Sequence, residues 1–390
     1  MIKKIAMLLT LVLVTSCTKG SDITTDNKNA EIQSTLQMTI LNNFAYKTFG
    51  LILKDNNFNN TVYSSLSFGE ALGSLTKLTD DFKENEYIKD FYGYKSPKNL
   101  SNLVSKNLIL SNKELLDLGK NPPKELKHVS FPKEAQKESY KLQKKILGEV
   151  LLEPNYTNNL SSVILNVANF KGQWEKPFDK KFTEKNFKFN TGNQKENVDL
   201  MTENDMDEKL GFEDEFAVAT RKKLKQKGTA SSFCYIIVPK KIDNNLYEHI
   251  SNNINTYIEG VSESGFYDTV ILKIPKLKIS NYLDLLQPLS KKDNTIKEFF
   301  QLKKDVLISK NNEPSKVDKI IQVASLSMDE VEVQASAITE IEKNTAQLPS
   351  EKSILEVVAD KPYFVVITSQ DENHNEIITF LSFIRNPSNK

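Results

Sequence analysis

A two-residue alternation runs near the end of the chain, from Ile320 to Glu342. Ile320 to Met328 reads as a strand. Beyond it Val331, Val333, Ala335, Ala337, Thr339 and Ile341 fall on one side. Glu332, Gln334, Ser336, Glu340 and Glu342 fall on the other, and Ile338 alone breaks the pattern. A period of two is the pattern of a half-buried strand. No Gly or Pro lies between Ser315 and Ala346 to turn the chain. Globular strands rarely exceed about ten residues. The second half is therefore written as a strand with no evident hairpin partner.

Elsewhere the pattern predicts a mixture of helices and strands. From about Ser34 a helical stripe is formed by Leu36, Ile40, Phe44, Thr48 and Ile52, widened by Leu41 and Phe49. Asn59 to Leu66 (NNTVYSSL) gives a turn, a short strand and a helix start that Ser67 or a neighbour caps. Charged helices and a strand around Leu108 to Leu118 are expected between Thr76 and Leu152. The apolar run Val163 to Phe170 predicts a buried strand, with Lys171-Gly172 allowing a bend before Trp174, the single tryptophan. Val270 to Leu289 reads as strand, Pro-Lys, strand, helix. Tyr363 to Ile367 and Thr379 to Pro387 predict a closing strand pair.

Composition narrows the function. The 390 residues carry 52 Lys+Arg against 51 Asp+Glu, so bulk attraction to nucleic acid is not expected. The basic run Arg221 to Lys227 reads as a solvated hairpin tip. Met1 to Ser16 has two lysines, an apolar stretch and small residues, the form of a secretory signal too short to span a membrane. Thr18 to Gln33 is polar, without aromatics, and reads as a flexible tether. Cys234, the second of two cysteines, sits in an apolar run and reads as a small buried hydrophobe. His128, His249 and His374 occupy dissimilar settings, and no nucleophile, metal-ligand or phosphate-binding motif accompanies them. The expectation is no catalytic residue, no metal and no cofactor: not an enzyme.

Several motifs resemble one family. Asp329 to Thr339 (DEVEVQASAIT) is similar to the hinge at the base of a serpin reactive-centre loop. Ser64, Leu66 and Ser67 match the family's strand-Ser-Pro-Leu-Ser-helix pattern, with Ser65 in place of Pro. Val163 to Phe178 (VILNVANFKGQWEKPF) resembles the strand carrying the family's central Asn and Trp. Val14-Thr15-Ser16-Cys17 resembles the lipobox of bacterial lipoproteins. The resemblance implies an α+β serpin fold: a large mixed central β-sheet, two smaller sheets, surrounding helices and an exposed reactive-centre loop at about 330–359. It implies a signal peptide at 1–16, a lipidated Cys17 with its tether at 17–33, and one domain over 34–390.

What the resemblance implies about function is suicide inhibition of a serine or cysteine protease. The loop is cut, an acyl-enzyme forms, and the loop inserts into the sheet before release. Hinge residues would be Glu330, Glu332, Val333, Ala335, Ser336, Ala337 and Thr339, with Glu332 standing where inhibitory members usually carry Gly. Ser64, Ser67, Asn166, Trp174 and Gln322 would line the place where the sheet parts. Counting from Glu330 puts the cut between Ala346 and Gln347; Lys343, Leu348, Glu351 and Lys352 are alternatives. Partners would be an elastase-like or trypsin-like protease, and a membrane through the N-terminal lipid, with no nucleic acid and a monomeric chain. The place would be the bacterial cell envelope, outside the cytoplasm. The other reading is a non-inhibitory serpin serving as a surface binding module.

Overall fold

The computed structural model describes residues 22–79, 103–151, 153–170, 172–225, 231–263, 266–292, 302–311, 315–330, 353–371 and 373–388. Chain order begins with α1 (Asp22–Asp55), β1 (Thr61–Tyr63) and α2 (Ser65–Leu75). Next come β2 (Leu103–Asn112), β3 (Leu116–Leu118), β4 (Leu126–Val129) and α3 (Lys133–Leu147). The middle holds β5 (Ser162–Phe170), β6 (Gln173–Trp174), β7 (Glu184–Asn190), β8 (Lys195–Glu203) and β9 (Gly211–Glu213). It continues with β10 (Ala217–Lys225), β11 (Ser232–Pro239), α4 (Asn244–Asn252) and α5 (Ile254–Glu263). Then follow β12 (Thr269–Pro275), β13 (Leu277–Asp284), α6 (Leu286–Lys292) and β14 (Leu307–Ser309). The last strands are β15 (Lys319–Met328), β16 (Ile354–Val358), β17 (Tyr363–Gln370) and β18 (Glu376–Ile384).

Among the described residues the strands form four sheets. The central one is mixed and five-stranded, in the order β13-β15-β5-β2-β4. A seven-stranded sheet, β1-β18-β17-β11-β10-β6 with β9 on β10, is antiparallel throughout and has more strands, several of them only two or three residues long. A four-stranded sheet, β16-β12-β8-β7, and a two-stranded pair, β14-β3, complete the set. At the middle of the central sheet β15 and β5 pair in parallel, from Lys319 opposite Val163 to Ser325 opposite Asn169.

Burial explains why β5 shows no alternation in sequence. All nine of its residues are buried. Val163, Leu165 and Val167 pack with Phe131, Ala135, Leu142 and Ile146 beneath α3. Ile164 faces the other way, into the core of α1, α2 and the seven-stranded sheet. A strand covered on both faces has no polar side to write. Helix α3 lies across this sheet with Ala135, Leu142 and Ile146 inward, and Gly148 ends it at φ 86, a left-handed position that glycine takes without a Cβ clash.

Three expectations are corrected. Helix α1 begins at Asp22, not near Ser34, so residues 22–33 of the expected tether are helical. That stretch has no Gly or Pro, and a helix already nucleated by packing extends at little cost. The expected loop of 330–359 is shorter, because Ile354–Val358 forms β16, parallel to β12, and Ala359 N–H donates to Lys273 O at 2.8 Å. Only the last part of the basic run lies beyond strand β10: Arg221 to Lys225 are in the strand and Lys222 is buried. Lys222 shares the inward phase of Thr220 and Leu224.

Candidate functional site

Two clusters sit along the β5–β15 seam. The first lies at its middle, where Asn166 stands opposite Gln322. The two side chains are joined directly: Gln322 Nε2 donates to Asn166 Oδ1 at 3.0 Å. Asn166 Oδ1 also accepts from Ser67 Oγ at 2.8 Å, while its Nδ2 donates to Ser67 O at 3.2 Å and to Asn107 Oδ1 at 2.7 Å. Gln322 Oε1 accepts from Ser64 N–H at 2.9 Å, and Nε2 donates to Ser64 O at 3.0 Å. Ser64 Oγ donates to Thr379 O at 3.0 Å and accepts from Ser67 N–H, making Ser64, not Ser67, the cap of α2. Asn166, Gln322, Ser64 and Ser67 are all 0% exposed. Every polar atom of the two amides is used, as a buried network requires.

The second cluster lies at the end of the seam, where β15 gives way to Asp329 and Glu330. Trp174 Nε1 donates to Asp329 O at 2.8 Å, and Phe178 N–H donates to Glu330 O at 2.9 Å. The Trp174 and Phe178 rings pack edge to face at 5.5 Å. Glu330 is 4% exposed, buried where a loop residue was expected. Its carboxylate pairs with Lys276 Nζ at 2.7 Å and accepts from Thr183 Oγ1 at 2.7 Å. Burial pushes the Glu330 carboxyl up, but the Lys276 and Thr183 contacts outweigh it and leave the group below its ordinary value of 4.5. Lys276 and Thr183 could not be found from sequence: each is a single polar residue, distant in the chain from Glu330.

The depressed carboxyl fixes the sign of a pH effect. The anchor is complete above about pH 4.5 and is lost as the pH falls through the lower folded value. Glu330→Gln is expected to lose about 2 kcal/mol near neutral pH, the worth of a hydrogen bond to a charged group. In thermal melts the gap between it and the wild type should shrink below about pH 4, since acid removes the same charge.

Glu332, Val333, Ala335, Ser336, Ala337, Thr339, Lys343, Ala346, Gln347, Leu348, Glu351 and Lys352 lie outside the described residues, as does Cys17. The ends of the loop stretch belong to different sheets: Glu330 leaves the five-stranded sheet and Ser353 leads into the four-stranded one. Cys234 is buried and burial pushes its thiol up to about 12, so it is an unreactive core group. His128 shares one hydrogen bond with Ser111 Oγ at 2.9 Å, away from either cluster. Among the described residues no group of three or more His, Cys, Asp or Glu could hold a metal ion, and no helix is long and apolar enough to cross a membrane.

The family model described as serpin (serine protease inhibitor) matches residues 139–387. The alpha-1-antitrypsin homolog of Cyprinus carpio is 26% identical over 231 residues, which cover 58% of this chain and 56% of that protein. The chain thus spans a little over half the length of this relative. Among solved structures, Arabidopsis AtSerpin1 in its native stressed conformation superposes with a TM-score of 0.69 at 14% identity, covering 91% of this chain and 99% of that one. The native state of tengpin, a thermophilic serpin, gives 0.68 at 17% identity, covering 95% and 96%. At such identities the structural likeness speaks for the fold, and the family model for the family. The chain belongs to the serpins, a family of protease inhibitors rather than catalysts.

Proposed function

We propose that this chain is a lipid-anchored inhibitor of serine or cysteine proteases that is cut within 343–352 and traps the acyl-enzyme by inserting residues 331–341 between β15 and β5. The observation that carries this is a match between the loop's sequence and the burial of β15. With a turn at Asp329 and Glu330, an inserted strand runs antiparallel to β15, and residues i and j face each other when they sum to the total of Val331 and Met328. Val333, Ala335, Ala337 and Thr339 then stand opposite Leu326, Ala324, Gln322 and Ile320, all buried on the inner face. On the outer face Glu332 meets exposed Ser327, Gln334 meets half-buried Ser325, and Ser336 meets Val323. Ile338, the residue that broke the alternation, meets Ile321, which packs in the cluster beneath α3. From Glu332 to Ile338 the outer face of the loop turns from charged to apolar as the outer face of β15 becomes covered, and Glu340 then meets half-buried Lys319. Glu332 is therefore compatible with insertion, despite standing where Gly is usual.

The ladders favour the same step. The seam is a parallel pair, slightly weaker per residue than an antiparallel one. Insertion replaces it with two antiparallel ladders. Eleven residues at about 3.4 Å each span roughly 37 Å, close to the length of ten-residue β15.

The N-terminal signal with its lipobox supports a body held outside the cytoplasm of a bacterial envelope by lipid on Cys17. Substituting Cys17→Ser is expected to move the protein from the membrane fraction to the soluble one.

Incubation with elastase, trypsin and chymotrypsin, read on a denaturing gel, tests the inhibitory reading. A covalent complex with elastase is expected, its cut mapped after Ala346. A complex with trypsin would put the cut after Lys343 or Lys352, and one with chymotrypsin after Leu348. Clean cleavage by all three with no complex would leave the non-inhibitory binding module.

A further inference from the structure

Lys222 is a buried cation that neither cluster uses by hydrogen bonding. It lies on the inward side of β10 and pairs with Glu203 on β8. The side chains are 6% and 10% exposed. The ammonium sits 4.8 Å from the Phe178 ring centroid and 5.9 Å from that of Trp174. It thus lies against the rings of both residues whose N–H groups grip the backbone of Asp329 and Glu330. Two residues further on, Leu224 pairs by main chain with Trp174.

A buried ion pair is a poor device for stability alone, because desolvation offsets much of its attraction. Nor does this pair serve a ligand in the cleft beside it. That cleft is lined by Lys176, Arg221 and Lys223 as well, and each is already paired, with Asp207 at 2.7 Å, Glu208 at 3.0 Å and Glu175 at 3.0 Å. The charges of the cleft satisfy one another. What remains specific to Lys222 is its contact with the two rings.

We propose that Lys222, oriented by Glu203, is a positioning residue that locks the Trp174–Phe178 pair at the root of the loop and so fixes the pivot about which the loop turns into the sheet. This rests on the insertion reading above. An ammonium held against two ring faces is attracted by their quadrupoles, most strongly where water is excluded. With the rings fixed, Trp174 Nε1 and Phe178 N–H hold the backbone of Asp329 and the bend at Glu330 in one place. The inserting strand then starts from a fixed root. A loosened pivot lets that backbone take several conformations, and insertion slows.

The test compares wild type with a double variant, Lys222→Met with Glu203→Leu. Apolar replacement of both partners avoids leaving one charge buried alone, so the variant is expected to fold with a melting temperature near that of wild type. Trp174 is the single tryptophan, so its emission reports on the site directly. The expected result is a shifted emission and easier acrylamide quenching, faster amide exchange at Phe178, and an insertion rate after loop cleavage lower on the order of tenfold. Insertion is followed as the appearance of heat-resistant protein with time after nicking. Unchanged emission and exchange would overturn the proposal whatever the insertion rate. Altered emission with an unchanged insertion rate would overturn the pivot role. If nicked wild type never becomes heat-resistant, the insertion reading itself fails, and the pivot role falls with it while the optical result still stands on its own.

Discussion

Cutting the chain within residues 343–352 will raise its melting temperature by more than about 10 °C. The gain originates at the seam. Inserting residues 331–341 removes one parallel ladder and adds two antiparallel ones, a net gain of roughly a dozen backbone hydrogen bonds. At about 0.5–1.5 kcal/mol each, that is on the order of 10 kcal/mol. Unfolding entropy near 2.1 cal/mol/K per residue gives about 0.8 kcal/mol/K for a chain of this size. The quotient is a shift of about 12 °C. Calorimetry of the protein before and after limited proteolysis checks it, with the cut confirmed by mass. Proteins are stable by only about 5–15 kcal/mol, so a gain of this size is also on the scale needed to distort a captured protease. A nicked protein that melts where the intact one does would mean that no strand was added. Ile338→Glu offers a control within the same measurement. Its carboxylate would face Ile321 beneath α3, and most of the gain in heat resistance should disappear.

The parts of this machinery that are legible in the sequence are those written as runs. Val163 to Phe170 is buried on both faces, so its strand appears as an apolar stretch interrupted only by Asn166 and Asn169. The alternation from Ile320 through Met328 marks β15, and its continuation marks a strand still to be placed. Other parts depend on single residues brought together from afar. Lys276 and Thr183 reach Glu330 from the end of β12 and from the segment before β7, and nothing in either local pattern points there. Strand β16 is hidden in the sequence because it is only five residues long and begins with exposed Ile354, although Leu355 and Val357 alternate into the core beside its pairing with β12. The helical start at Asp22 is hidden because residues 22–33 carry no apolar stripe, the signal by which a packed helix is found. Lys222 does leave a trace. Its phase with Thr220 and Leu224 marks the inward side of β10, but a run of basic residues suggests solvent first.

Asn166→Ala will lower the melting temperature of the intact protein by about 4–6 °C, and its coupling to Gln322 will exist only before the loop is cut. Removing Asn166, itself 0% exposed, takes away four hydrogen bonds, three of them to fully buried Ser67 and Gln322 and one to half-buried Asn107. Ser67 Oγ loses its acceptor and Asn107 Oδ1 its donor. Leaving such buried groups unsatisfied costs on the order of 3–5 kcal/mol, and at about 0.8 kcal/mol/K that gives the expected shift. The bond between Gln322 Nε2 and Asn166 Oδ1 has a further property: it crosses the seam. An inserted strand would put Ala337 between the two amides, so this bond must break for the loop to enter. The Ser67 and Asn107 contacts lie on the Asn166 side and have no such requirement. A double-mutant cycle of Asn166→Ala and Gln322→Ala separates the terms. In the intact protein the coupling is expected at about 1–2 kcal/mol, the range of a single buried hydrogen bond; in the nicked protein it should fall to near zero. The same variants, having lost the clasp, should insert faster after nicking than wild type. Equal coupling in both forms would show that the two amides still touch after cleavage, and that nothing had come between β15 and β5.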